Sequence, residues 1–312
     1  MFNEEPLIRS FYDSLTAVID SLPYLFELIF VNDGSSDGTQ SELAALVESD
    51  SRVQVLELSR NFGHQAALSA GLEEAEGDLI ITMDGDGQHP PELIAEMIRL
   101  AENGYEVVQT QRLDSQEKNS LKKRTSSLFY RLINKIGDTR TIPGGADFRL
   151  MSRQVLENLI AMPEYHRFLR GMVPWLGFKT VILPFQVQDR IAGKSKYSIS
   201  KMLRLASDAV FSFSMAPLYV GLSAGAVFFL LAIIEVIYVL SFWISGRTSS
   251  LTPGWSSLMF MMLIIAAVLM VILGFIGVYV GYIFQEVKHR PVFVIKDKIV
   301  RSNEKPSEKE SK

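Results

Sequence analysis

Two aspartates one residue apart, Asp84-Gly85-Asp86, follow the apolar run 79–83, with Gln88 two positions further on. Carboxylates this close repel unless a cation or hydrogen-bond donors neutralise them. A hard divalent ion with oxygen ligands, shared with a substrate phosphate, is the natural partner, and Gln88 falls on the same side of an extended segment as Asp86. A plain Asp-Gly turn is the alternative. An EF-hand is excluded, because His89 stands where its glycine belongs and Ala95 where its bidentate glutamate belongs. The segment Asn32-Asp33-Gly34-Ser35-Ser36-Asp37-Gly38-Thr39 follows the run 28–31 and combines a carboxylate, turn glycines and helix-capping residues. That set suits gripping a ribose or base edge through side-chain acceptors, or an ordinary capped turn. The chain has neither a Walker A loop nor Gly-x-Gly-x-x-Gly, so phosphates fall to a metal and to basic residues. The candidates are Arg112, Lys123, Arg124 and the run Arg190-Ile191-Ala192-Gly193-Lys194-Ser195-Lys196-Tyr197.

The elements that must position these residues follow an alternation. Apolar runs of strand length (28–31, 53–58, 79–83, 107–110) are separated by segments of helical period (39–47, 65–75, 91–101). Such alternation signals βαβ units, hence an α/β fold with a mostly parallel, Rossmann-like sheet. In open sheets of this kind ligands bind outside the carboxyl ends of the strands, where Asp33, Asp84 and Arg112 all fall. Residues 118–136 read as a basic amphipathic helix, 141–147 as a loop with the Gly144-Gly145 pair, and 179–187 as a late strand. A doubly wound sheet opens on a buried strand, yet residues 1–6 read as the loop after one. The expectation is a sheet lacking its first strand, with an apolar strand encoded upstream of Met1.

Farther on, the runs 217–244 and 257–284 are each long enough to cross about 30 Å of hydrocarbon. The chain of 312 residues, 48 % of them hydrophobic, therefore reads as one large domain, 1–197, on a two-span hairpin, 217–284. Between them, 198–216 carries apolar residues at helical spacing opposite Lys201, Arg204 and Asp208, as in a helix lying in the headgroup plane. Residues 285–312 read as a basic segment and a disordered tail. Basic residues flank the hairpin on both sides and the loop between the spans holds only Arg247, which by the positive-inside rule puts the domain and both termini in the cytoplasm of a multi-pass plasma-membrane protein. The start at Asn3-Glu4-Glu5 is not a signal peptide. A net charge of −4 gives no reason to expect a nucleic-acid partner, and the absence of cysteine removes thiol catalysis. Gly221/Gly225 and Gly277/Gly281 have the small-xxx-small spacing that permits close helix approach or self-association, and Glu235 lies mid-span, costly in lipid unless neutral or paired.

Five motifs in order carry a family resemblance: Phe2-Asn3-Glu4-Glu5, Val31 to Thr39, Arg60-Asn61-Phe62-Gly63-His64, Asp84-Gly85-Asp86-Gly87-Gln88-His89-Pro90-Pro91-Glu92 and Lys194-Ser195-Lys196-Tyr197. Together they resemble the polyprenyl-phosphate glycosyltransferases, inverting GT-A enzymes that include bactoprenol glucosyltransferases and dolichyl-phosphate mannose synthases. The resemblance runs through the hairpin. It implies transfer of a hexose, from UDP-glucose or UDP-N-acetylglucosamine, to polyprenyl (undecaprenyl) phosphate at the cytoplasmic membrane face. It further implies that Glu4 and Asp33 contact the nucleotide, that Asp84 lies beside the ribose and metal, that Asp86 and Gln88 ligate Mg²⁺ or Mn²⁺, and that Arg112, Arg124 and Arg190 face phosphates. Gly87 departs from the pattern, where relatives often carry leucine, and should loosen the turn without removing a ligand.

An acceptor phosphate is already an anion and needs little from a general base, so the metal and arginines would do most by stabilising the departing nucleoside diphosphate. Asp147 could orient the acceptor or take a proton from it; an ion pair to Arg149 or Arg153 is the alternative. Arg190 and Lys196, between the domain and the first span, are assigned to the acceptor phosphate. His89 is expected as a structural neighbour of the metal loop, and His64 either lines the nucleotide pocket or is a satisfied core residue. A processive polysaccharide synthase would carry Gln-x-x-Arg-Trp, which is absent, and a non-catalytic membrane scaffold would show broken motifs, whereas these are intact.

Overall fold

The computed structural model describes residues 1–113, 142, 144–186, 216–246 and 254–301. These residues form two compact units, one carrying all the strands and the other two long helices. The expected helix 118–136, the expected helix 198–216 as far as residue 215, the tail from residue 302, and Arg124, Arg190 and Lys196 lie outside the described residues.

In the first unit the order is α1 (Glu5–Ile19), β1 (Leu28–Asn32), α2 (Thr39–Ser49), β2 (Val53–Leu58), α3 (His64–Glu74), β3 (Leu79–Thr82), α4 (Leu93–Glu102), β4 (Val107–Leu113), β5 (Gly145–Ser152), α5 (Arg153–Ile160), α6 (Leu169–Trp175), β6 (Thr180–Gln186) and, after the long helices, β7 (Ile295–Val300). Proline in its first turn starts α1, which buries Leu7, Ile8, Phe11, Leu15 and Ile19 along one stripe. The Ser152 hydroxyl accepts from the Val155 amide and caps α5. Helices α1, α2 and α4 share one core with Leu28, Phe30, Val53, Val55 and Phe148, while α3 covers Leu56 and Leu58 on the opposite face through Ala67 and Ala70. The strands are thus apolar on both sides, which is why they read as continuous hydrophobic runs.

The sheets are mixed, which corrects the expectation of a mostly parallel one. Their orders are β1-β2-β7 and β3-β5-β4-β6. β1–β2 and β4–β6 are parallel, whereas β2–β7, β3–β5 and β4–β5 are antiparallel. Two strands account for the difference. β5 begins inside the segment read as a loop and hides from a hydropathy reading, because its buried stretch contains Asp147 and Arg149, a charge pair neutralised only in three dimensions. β7 lies in the segment expected as a basic flank. Its alternation is weak, and ion pairs from Lys296 to Glu57 and from Lys298 to Glu74 help fasten it at the edge beside β2.

At its other edge β1 meets Met1 alone among the described residues: the amino group donates to the Val31 carbonyl at 2.8 Å, and the Asp33 amide donates to the Met1 carbonyl at 2.9 Å.

The second unit consists of α7 (Ala216–Ile244) packed on α8 (Trp255–Val287). Among the described residues, one helical stretch is long and apolar enough to cross a membrane, Ile264–Val287, and none of it is buried. A Cβ at Gly221 would lie 3.3 Å from Ile272 Cγ1, so glycine permits that approach, whereas Gly225, Gly277 and Gly281 have no described heavy atom within 4 Å of such a position. The side chain of Glu235 lies outside the described residues.

Candidate active site

The antiparallel course of β5 is what builds the site. Thr82 at the carboxyl end of β3 pairs with Arg149, and Gln111 near the carboxyl end of β4 pairs with Gly145. The start of β5 therefore lies at the same sheet end as the carboxyl ends of β3 and β4. Continuing the β3–β5 register two residues past Thr82 sets Asp84 against Asp147.

Asp147 is 1 % exposed, yet both its oxygens are bonded. Oδ1 accepts from Arg149 Nη2 at 2.7 Å. Oδ2 accepts from Arg170 Nε at 3.0 Å and Nη2 at 2.7 Å, and lies 3.0 Å from His64 Nε2. Burial alone would favour the neutral acid, but His64, Arg170 and Arg149 hold its carboxyl well below the usual range. A carboxylate held in this way is a weak proton acceptor and a strong orienting group. The ion-pair alternative is met by Arg149; Arg153 bonds instead to the Ala75 and Gly77 carbonyls.

His64 is neither a core residue nor isolated: its side chain is 49 % exposed and its Nε2 is also 3.6 Å from Asp84 Oδ1. Burial opposes protonation, but the bond to Asp147 and the field of Asp84 raise its pKa. His89 is fully buried, stacked on Phe148 at 5.1 Å, with Nδ1 3.2 Å from the Asp84 amide and Nε2 3.1 Å from Arg112 Nη2. Burial lowers its pKa, as befits a neutral prop behind the acidic loop. Arg112 also stands 3.9 Å from Asp84 Oδ2.

The acidic loop is built as a tight turn. The Gln88 amide donates to Asp86 Oδ1 at 3.1 Å, and Gly87 has φ +73°, a left-handed conformation that glycine takes without strain. The departure at Gly87 therefore suits this backbone. Among the described residues no three His, Asp or Glu side chains converge on one point. Asp84 Oδ1 is nevertheless buried with no hydrogen-bond partner, and the Asp84 and Asp86 carboxylates with the Gln88 amide oxygen make a ligand set that fits a hard divalent cation.

Asp33 closes the wall on the β1 side. Its two oxygens accept from the Phe62 and Gly63 amides at 2.7 and 3.0 Å, tying β1 to the Arg60–His64 segment, and burial raises its pKa against those bonds. Gly34, at φ +65°, lies against the Arg60 and Asn61 backbone, where any Cβ would collide. The opening residues clasp the same loop: the Asn3 amide donates to Ser35 Oγ, the Glu4 amide to Thr39 Oγ1, and the Gly38 amide to the Glu5 carboxylate. The Met1 backbone bonds both Val31 and Asp33, which lays the opening segment that carries Glu4 along the Asp33 loop. Arg170 was not foreseen; it follows no strand and sits in no acidic or glycine motif, and only its bond to Asp147 reveals it.

The family model Glycosyl transferase family 2 matches residues 1–160. The chain is 39 % identical to an uncharacterized glycosyltransferase, YkcC, of Bacillus subtilis over 95 % of this chain and 91 % of that protein. It is 38 % identical to a bactoprenol glucosyl transferase of Shigella phage SfV over 95 % of this chain and 96 % of that protein. A prophage bactoprenol glucosyl transferase homolog of Escherichia coli is 37 % identical over 95 % of this chain and 96 % of its own. The mixed α/β sheet with acidic and basic groups gathered at one end is a GT-A-like glycosyltransferase architecture, and the chain belongs to glycosyl transferase family 2.

Proposed function

We propose that this glycosyltransferase moves a hexose, glucose in the first instance, from a nucleotide sugar to polyprenyl phosphate at the cytoplasmic face of the plasma membrane, with inversion at the anomeric carbon. The observation that carries the reading is the meeting of an all-oxygen acidic loop with a cation-rich cluster at one sheet end, in a chain that matches bactoprenol glucosyl transferases along nearly its whole length. An oxygen of the acceptor phosphate attacks the anomeric carbon from the face opposite the leaving group. The bond from that carbon to the β-phosphate oxygen breaks, and the nucleoside diphosphate departs with the electron pair.

Glu4 and Asp33 border the nucleotide, and Asp84, Asp86 and Gln88 would hold Mg²⁺ or Mn²⁺. When bound, such an ion offsets charge on the diphosphate. Arg112, propped by His89, faces the phosphates, and Arg124, Arg190 and Lys196 are assigned to phosphates from the sequence alone. Asp147 positions its cationic neighbours and needs no proton transfer of its own, because the acceptor is already ionised.

The direct test supplies the purified protein with undecaprenyl phosphate and a panel of UDP- and GDP-sugars and detects the lipid product. UDP-glucose is expected to give glucosylated lipid; transfer to water alone, or extension of a polymer, would sink the reading. Membrane topology is tested separately. With 217–284 as a two-span hairpin, reporters fused at Lys312 and near Pro253 should report opposite sides. Equal signals would leave the hairpin untenable.

A further inference from the structure

Two guanidiniums and an imidazole converge on the single carboxylate of Asp147. The members differ sharply in access. Asp147 and Arg149 are 1 % and 3 % exposed, while the Arg170 and His64 side chains are 32 % and 49 % exposed. The buried pair fixes the accessible pair. Arg149 Nη1 donates to the Leu169 carbonyl at 3.0 Å and its Nη2 to Asp147, so one planar group sets both β5 and the start of α6. The Leu169 amide donates to Gln65 Oε1 at 3.0 Å, which ties α6 to the first turn of α3 and hence to His64. Arg170 presents Nε and Nη2 to one oxygen, the same Oδ2 that His64 Nε2 approaches. Its guanidinium plane is therefore locked, and the two tips stand together on one wall beside Asp84.

Two carboxylates, Asp147 and Asp84, stand against the two guanidiniums, and His64, 3.6 Å from Asp84 Oδ1, adds a further nitrogen to the accessible pair. The carboxylate that fixes Arg170 and His64 is buried while their tips are accessible, so an anion arriving from solvent reaches the two cations without meeting Asp147. We propose that Arg170 and His64 form a preoriented seat for a phosphate group of the substrate, with Asp147 and Arg149 as its positioning residues. The inference rests on the proposed reaction, which offers two phosphates of the right chemistry: the diphosphate of the nucleotide sugar and the acceptor phosphate of the lipid. A guanidinium already bonded edge-on to a carboxylate loses little further freedom on meeting a phosphate, which is what a seat for a transferring group requires.

The test compares wild type with Arg170→Gln, Arg170→Lys and His64→Gln in detergent. It measures UDP affinity by calorimetry, apparent KM for undecaprenyl phosphate and for the nucleotide sugar, and thermal stability. Losing a charge-assisted bond to phosphate should weaken the relevant constant roughly tenfold or more. Lysine at position 170 should restore part of it, whereas a purely structural role would show only in the melting temperature. Weakened UDP binding assigns the seat to the donor diphosphate. A raised KM for undecaprenyl phosphate with UDP affinity intact assigns it to the acceptor. If Arg170→Gln and His64→Gln keep both constants within twofold, the seat is overturned, whatever happens to stability. Wild-type protein that binds UDP but makes no lipid-linked sugar would count against the proposed reaction instead, and calorimetry would still decide the donor arm.

Discussion

Asp86→Asn is expected to lower turnover roughly 100-fold or more, since several kcal/mol of charge stabilisation at the leaving diphosphate would be lost, and each 1.4 kcal/mol is about tenfold in rate. The fold should survive. Asp86 bonds the Gln88 amide through Oδ1, and an asparagine oxygen can accept the same bond, so the turn is kept while the charge is removed. Wild-type protein in excess EDTA should fall to a similar level. A manganese titration followed by thermal shift should stabilise the wild type and leave the variant unmoved, which separates loss of the ion from loss of the fold. Normal turnover by the variant, or by the wild type in chelator, would remove the metal from the reaction.

Asp147→Asn should act on stability first. The carboxylate is the partner of Arg149, which is 3 % exposed, so its neutralisation strands a positive charge that water cannot reach. Breaking a buried pair from one side typically costs about 3–5 kcal/mol. Unfolding followed in detergent should show a loss of that order, and Asp147→Asn combined with Arg149→Met should recover part of it, because a hydrophobic replacement of the pair leaves no stranded charge. The pH dependence has a definite sign. The folded carboxyl of Asp147 is depressed, so its contribution is fully present above the ordinary carboxylate pKa of about 3.9 and is lost as pH falls below that toward the folded value. The wild type should lose stability through that acid window more steeply than the asparagine variant. Equal slopes would mean that the cluster does not hold Asp147 ionised.

Much of the architecture was legible because it depends on local rules. The runs at 28–31, 53–58 and 107–110 became strands, and the helical segments between them became helices, since hydrophobic period and length are properties of neighbouring residues. The strand-end rule finds Asp33 and Asp84 just past β1 and β3, whereas Arg112, expected just after a strand, lies inside β4 near its carboxyl end, and the motif order points to the family to which the chain belongs.

What remained hidden was non-local. β5 could not be recognised as a strand, because Asp147 and Arg149 look like surface residues until their charges meet in the interior, and its antiparallel direction depends on which edge of β3 and β4 it joins. β7 joins β2 from more than two hundred residues away along the chain, through a segment whose lysines suggest a solvated flank. His64 could be read as a core residue or a pocket residue with equal ease; its half-exposed side chain excludes the core, and its bond to Asp147 joins two segments more than eighty residues apart. Arg170 carries no motif, and its position at the site follows entirely from the turn that brings α6 beside β5. The sequence by itself determined which side chains could bear charge and which segments had to be buried. Tertiary structure alone decided which charges face one another, because the electrostatic role of a carboxylate depends on distances of a few ångströms to groups far away in the chain.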